Sequence, residues 1–227
     1  THSEGIGDIS TAAYYTLFTR EQRTYWDRAE EKDTWWNQKD NIQQAYIGLE
    51  GFFPTGSVEQ RDATPMGPNS KLPYPMQLGS GTFNLQPSIT WLSIEQDWSW
   101  GARYAYRFHT GRNSEGYRLG DMENLSVWLT RKTTDWSSLD FTVQHQVWDN
   151  IQGADPELNP VVVPTANPNL RAGDRTDAWF GLNLYIPDGE LEGQRMHFGL
   201  GLPVHQHLDG PQLRTNLMFQ TGWSWTW

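Results

Sequence analysis

The chain has 227 residues, a formal net charge of -10, no cysteine and 37% hydrophobic residues. The acidic balance and the lack of any Lys/Arg cluster exclude a nucleic-acid-binding face, and the missing thiols exclude disulfides, thiolate zinc sites and thiol catalysis together. A mean hydropathy of -0.70 leaves no window apolar enough for a membrane-spanning helix, although it is silent about strands that are apolar on one side only.

Aromatic side chains are abundant: 13 Trp, nine Tyr and nine Phe, or 14% of residues, more than a core requires. Trp and Tyr favour a membrane interface, where an apolar ring with one polar handle is satisfied on both sides.

Taken in order, residues 5–18 carry a first alternating run, Ile9, Thr11, Ala13, Tyr15 and Leu17. Residues 19–42 turn polar around Glu30, Glu31, Lys32 and Asp33, which reads as a solvated connector or a short helix. A second strand, 43–53, sets Ala45, Ile47, Leu49, Gly51 and Phe53 against Tyr46, Gly48, Glu50 and Phe52. The loop 54–82 follows, and its prolines from Pro65 to Pro75, lacking N–H donors, predict no ladder there. The third strand, 82–92, aligns Phe83, Leu85, Pro87, Ile89 and Trp91. The fourth, 97–109, opposes Trp98, Trp100, Ala102, Tyr104, Tyr106 and Phe108 to Arg103, Arg107 and His109.

Strand five (121–131) shows Leu125, Val127 and Leu129, and strand six (137–149) shows Leu139, Phe141, Val143 and Val147. After the loop 150–175, strand seven (176–186) presents Ala178, Phe180, Leu182, Leu184 and Ile186, and strand eight (195–205) presents Met196, Phe198, Leu200, Leu202 and Val204. The last stretch, Gln212 to Trp227, is the clearest. Leu213, Thr215, Leu217, Phe219, Thr221, Trp223, Trp225 and Trp227 alternate with Arg214, Asn216, Met218, Gln220, Gly222, Ser224 and Thr226.

A period of two with a uniformly apolar face, an aromatic end and a polar opposite face predicts an all-β fold, an antiparallel transmembrane β-barrel forming one domain over 1–227. Slipping strand four by one residue would put Arg103 and Arg107 into lipid at about 2–4 kcal/mol each near the midplane, so both are expected to face inward. Connections at 54–82, 110–120, 150–175 and 203–213 are long and fall on one side as external loops. Those at 93–97, 132–137 and 187–194 are short and fall on the other, and only the 19–42 connector breaks the rule. Nine strands is an odd number where single-chain bacterial barrels carry an even one, which places further strands before Thr1 and the full barrel at about 12 strands.

Several motifs resemble the outer-membrane barrel family labelled MetA-pathway of phenol degradation, a transporter-like group. They are G-I-G-D at 5–8, P-T-G-S at 54–57, R-D-A-T-P-M-G at 61–67, L-P-Y-P-M-Q-L-G-S-G-T at 72–82, Y-R-L-G-D at 117–121, G-A-D-P through N-L-R at 153–171, G-L-N-L-Y at 181–185 and L-D-G-P-Q-L at 208–213. Where the family pattern has Tyr-Gln-Asp before L-D-G-P, this chain has His205-Gln206-His207. The resemblance implies an outer-membrane channel or porter for small, aromatic or apolar solutes in a Gram-negative cell.

Inward parity assigns Glu50, Asn84, Gln86, Arg103, Arg107, Asp140, Gln144, Asn183, Arg214 and Gln220 to the lumen, where they form either a selective polar pathway or ligand cavity, or a rigid plug of salt bridges. His197, His205 and His207 share inward parity on strand eight, and imidazoles at i and i+2 suit copper, nickel or zinc, so they are the candidate metal ligands. Asp62, Asp155, Glu157, Asp174 and Asp177 are read as loop carboxylates, either solvated or open to a divalent cation. No G-x-S-x-G occurs near His109 and Ser114, so no enzyme and no cofactor are expected.

The expected partners are outer-membrane lipid and lipopolysaccharide, a small-molecule solute, and a protein partner through the external loops, with no nucleic acid. Alternatives are a structural or assembly barrel whose loops bind that partner, a metal-associated outer-membrane protein, and a soluble Trp-rich carbohydrate-binding sandwich.

Overall fold

The computed structural model describes residues 2–22, 41–189 and 191–225. In chain order the strands are β1 (Ile9–Gln22), β2 (Asn41–Phe53), β3 (Arg61–Thr64), β4 (Gly67–Lys71), β5 (Asn84–Glu95), β6 (Trp98–His109), β7 (Tyr117–Arg118), β8 (Met122–Thr134), β9 (Ser137–Trp148), β10 (Gln152–Gly153), β11 (Gly173–Tyr185), β12 (Gln194–Leu208) and β13 (Met218–Trp225). Nine of them form one antiparallel sheet in the order β1-β2-β5-β6-β8-β9-β11-β12-β13, and β3 with β4 and β7 with β10 make two small ribbons in the loops. All nine predicted strands are present. Most of the 19–42 connector, residues 23–40, lies outside the described residues.

Six strands separate β2 from β13, which in a flat sheet would stand about 34 Å apart at the usual strand spacing. Ile42 of β2 and Ser224 of β13 nevertheless line one cavity, so the sheet curls and has an inner and an outer face. The curl stops short of closure: β1 and β13 are the two ends of the sheet and do not pair with each other among the described residues.

Apolar side chains are distributed the opposite way from a soluble protein. Along β8 the even-numbered residues from Met122 to Lys132 are half-buried and the odd ones from Glu123 to Thr133 exposed, which puts Leu125, Val127 and Leu129 outward. Leu217, Phe219 and Ile89, which a two-sheet sandwich would seal in its centre, are 59%, 70% and 52% exposed. The long strands contribute only Ala45 and Ala105 to the buried apolar set. The rest, Val58, Leu72, Tyr74, Tyr117, Ile151 and Ala166, lie between the long strands, in the large connections. A sheet with most of its large aliphatic groups facing out, and its dry core in the loops, is organised for an apolar surrounding.

That core corrects the reading of 54–82 as unpaired throughout. β3 and β4 pair within it, with Arg61 opposite Lys71 and Asp62 opposite Ser70. Pro65 falls in the turn between them, and Pro68 has no assigned partner, so the missing donors interrupt little of the ribbon. The 54–82, 110–120 and 150–175 connections pack together on the same rim around Tyr74, Tyr117 and Ile151, with the two tyrosine rings edge-on at 4.8 Å.

Two further corrections concern register. The final strand pairs only from Met218, opposite Gly201, to Trp225, opposite Gln194. Ahead of it, residues 212–217 are held by a side chain instead: Gln206 donates to the Thr215 carbonyl at 2.7 Å and accepts from the Thr215 N–H at 3.0 Å. In β12 a bulge at Val204 shifts the pairing with β11, so that Thr176 meets His205 while Asp177 meets Pro203. One extra residue turns every later side chain to the other face.

Candidate functional site

The inner face carries the polar residues in three groups. Near the long-loop rim, Arg107 of β6 donates to the Gln86 side chain of β5 at 2.9 Å, and Gln86 donates to Glu50 of β2 at 3.0 Å. The Arg107 guanidinium also lies over the Phe52 ring, 3.8 Å from its centroid. Cation and carboxylate are thus joined through an amide across three strands, which fixes all three side chains against the wall. Asn84 is buried beside them, accepting from Thr82 at 2.7 Å and donating to Ser80 at 2.9 Å.

A second group crosses β6, β8, β9 and β11. Arg103 lies level with Ser126, Gln144 and Asp177 in successive strands. Arg175 is the hub: its guanidinium meets Asp177 at 2.9 Å, Gln146 at 3.2 Å and the Thr215 hydroxyl at 3.0 Å. Between this group and the short-turn rim, Trp128 and Trp179 lie on the wall on either side of Thr142. Their rings fit because Gly101 and Gly201 lack a Cβ, which would come within 2.5 Å of Trp128 and 2.8 Å of Trp179.

The third group stands at the short-turn rim. Asn183 of β11 donates to Asp140 of β9 at 2.8 Å, and its carbonyl oxygen lies 2.9 Å from His197 Nδ1 on β12. His197 and Asn183 line a cavity of about 670 Å³ that opens at this end of the curled sheet, with Ile42, Ile94, Trp136 and Tyr185 among its walls.

Of the residues expected to line a lumen, Glu50, Gln86, Arg107, Asp140 and Asn183 are brought into two hydrogen-bonded groups, and Asn84, Arg103, Gln144 and Gln220 share their face. Arg214 does not, because it falls in the segment before β13 that lacks a ladder. The three candidate metal-ligating histidines are not brought together. His197 is on the inner face, whereas the Val204 bulge carries His205 and His207 outward, where Asp174 takes them at 2.9 Å and 3.5 Å. Among the described residues no group of three or more His, Cys, Asp or Glu is placed to hold a metal ion.

Arg175, Trp128 and Trp179 were missed by the sequence reading, and Asp177 was read as a loop residue. Starting strand seven at 176 left Arg175 in a loop, although parity from Asp177 would have placed it inside. The Trp residues carried a signal too: each has inward parity and faces a glycine on the next strand.

Asp155 and Glu157 of the loops pair with protein cations. Lys71 is 2% exposed and makes ion pairs with Glu115 and with Asp155, the latter at 2.6 Å and 1% exposed. Glu157 pairs with Arg61 at 2.5 Å. Burial alone would lower the Lys71 ammonium, but its hydrogen bonds to Asp155 and Glu115 hold it above the ordinary lysine value. The same contact from Lys71 holds the Glu115 carboxyl below its ordinary range. Burial pushes the Tyr117 phenol up to about 12.

No family model matches the chain, and no curated protein matches it. Among solved structures, the crystal structure of an outer membrane channel from Pseudomonas putida F1 is similar, with a TM-score of 0.57 and 12% identity over 96% of this chain. The chain spans 64% of that channel's length. This likeness shows the fold, that of an outer-membrane barrel, and does not extend to the MetA-pathway label.

Proposed function

We propose that the chain forms the wall of a channel or porter in the bacterial outer membrane, passing small solutes along the inner face of the sheet. One observation carries the reading: the outer face is apolar and exposed along every long strand, while the inner face holds hydrogen-bonded polar chains spanning several strands. Water would leave the first arrangement unpaid, and hydrocarbon would forbid the second if the faces were exchanged. Lipid meets the outer face, and lipopolysaccharide is its neighbour at the long-loop rim. Because lipid tolerates no open sheet edge, β1 and β13 are completed by further strands into a closed barrel of about 12 strands.

The solute is small and partly apolar, in keeping with Trp128 and Trp179 on the inner wall. Purified protein in planar bilayers is expected to give discrete conductance steps, and proteoliposomes are expected to swell in small-solute gradients.

A second reading, a barrel that anchors its loops for a protein partner, is favoured by the packed core around Tyr74, Tyr117 and Ile151. A folded barrel with neither conductance nor solute uptake would overturn the channel in its favour.

A further inference from the structure

The cavity at the short-turn rim has a defined polar pole. The Asp140 carboxylate can only accept, so the Asn183 group facing it at 2.8 Å is the donating NH₂. The Asn183 carbonyl oxygen is thereby left facing His197 Nδ1 at 2.9 Å, and Nδ1 must carry the proton. In the neutral imidazole this leaves Nε2 as a bare acceptor, and no described residue hydrogen-bonds to it. The cations at the same mouth are engaged: Lys132 with Asp135 at 2.8 Å, and Arg195 over the Tyr185 ring at 5.4 Å. The rest of the lining mixes Ile42, Ile94 and Trp136 with Asp97 and Asp135.

We propose that this cavity is a solute-binding site for a neutral, largely apolar molecule bearing a hydroxyl group, which donates its hydrogen bond to His197 Nε2. Asn183 and Asp140 are positioning residues that set the tautomer. A carboxylate would meet a lone pair at Nε2 with Asp140 only 3.8 Å from the same ring. The inference deepens the channel reading and rests on it, since it places a selective station at one mouth of the pathway.

The test uses the full chain in lipid nanodiscs with ¹⁵N-labelled histidine, titrated with benzyl alcohol and with benzyl methyl ether, which has the same apolar body and no donor. The His197 Nε2 resonance, identified by its loss in His197→Phe, is expected to move with the alcohol and not with the ether. The alcohol is expected to bind about fivefold tighter, the worth of one hydrogen bond. In Asp140→Asn, where the amide of Asn183 is no longer held in one orientation, that advantage shrinks below about twofold.

An unmoved Nε2 resonance in the wild-type protein overturns the proposal, as does an alcohol preference that persists in His197→Phe. If that variant does not fold, Asp140→Asn decides the matter: an alcohol advantage there as large as in the wild type overturns the proposal. Conductance of the same wild-type preparation separates the two readings: absent pores refute the channel, whereas pores without alcohol preference refute only the site.

Discussion

Replacing Lys71 by Met tests whether the external loops are a folded cap or a set of tethered coils. The ammonium is enclosed by Glu115, Asp155 and, at 4.0 Å, Glu157, and its removal leaves the Asp155 carboxylate buried at 1% exposure without its cation. Breaking a buried pair from one side costs about 3–5 kcal/mol, which is roughly a hundredfold to a few thousandfold in the local opening equilibrium. Hydrogen exchange read by mass spectrometry should show that loss at amides near Leu72, Tyr74, Tyr117 and Ile151, with the long strands β8, β9 and β11 unaffected. The double variant Lys71→Met with Asp155→Leu removes both charges together and should recover most of the protection.

The pH dependence follows from the same contacts. The lowered Glu115 carboxyl contributes stability that is present above the ordinary carboxyl value of 4.5 and is lost as pH falls through its folded value. The raised Lys71 ammonium contributes stability that is present below 10.5 and is lost as pH rises through its folded value. The cap should therefore be most protected between those limits. Loop amides that exchange equally fast in wild type and Lys71→Met would refute the reasoning.

Charge placement separates the two faces: Val127→Arg, at the middle of β8 and pointing outward, should destabilise by about 2–4 kcal/mol in urea titrations of vesicle-folded protein. Thr130→Arg, opposite Asp140 on the inner face, should change stability by under about 0.5 kcal/mol, and equal effects would count against the assignment of faces. Gly201→Ala brings a methyl group within 2.8 Å of the Trp179 ring and should cost about 1–3 kcal/mol in the same titration, with a changed Trp emission. Single cysteines at Leu202 and His205 should share one environment despite their odd spacing, because the bulge at Val204 lies between them; opposite environments would remove the bulge.

What the sequence disclosed depended on whether the signal is carried by one residue or by its partner. The strands were legible because hydrocarbon selects one side of each strand, so that Leu125, Val127 and Leu129 announce the face without knowledge of their neighbours. The same rule overran at both ends of the last hairpin. Alternation continues through Leu213 and Thr215, but pairing there is replaced by the Gln206 side chain, which no pattern in residues 212–217 reports. The Val204 bulge was illegible because Val-His-Gln-His reads equally well in either register.

Lys71 looked like a solvated loop cation, since burial among carboxylates from two distant loops has no local mark. The Asp140, Asn183 and His197 group was half legible: parity named Asp140 and Asn183 for the lumen, while His197 was assigned to a metal whose other ligands turn outward.

A barrel wall of this kind requires that one side chain in two meets hydrocarbon. The absence of native cysteine allows a nitroxide scan, one residue at a time, from Thr176 to Leu184 of β11 in lipid bilayers. Collision with oxygen should peak at Ala178, Phe180, Leu182 and Leu184, and collision with a water-soluble nickel chelate should peak at Asp177, Trp179, Gly181 and Asn183. A scan without this two-residue period, or with the two reagents peaking at the same positions, would contradict it.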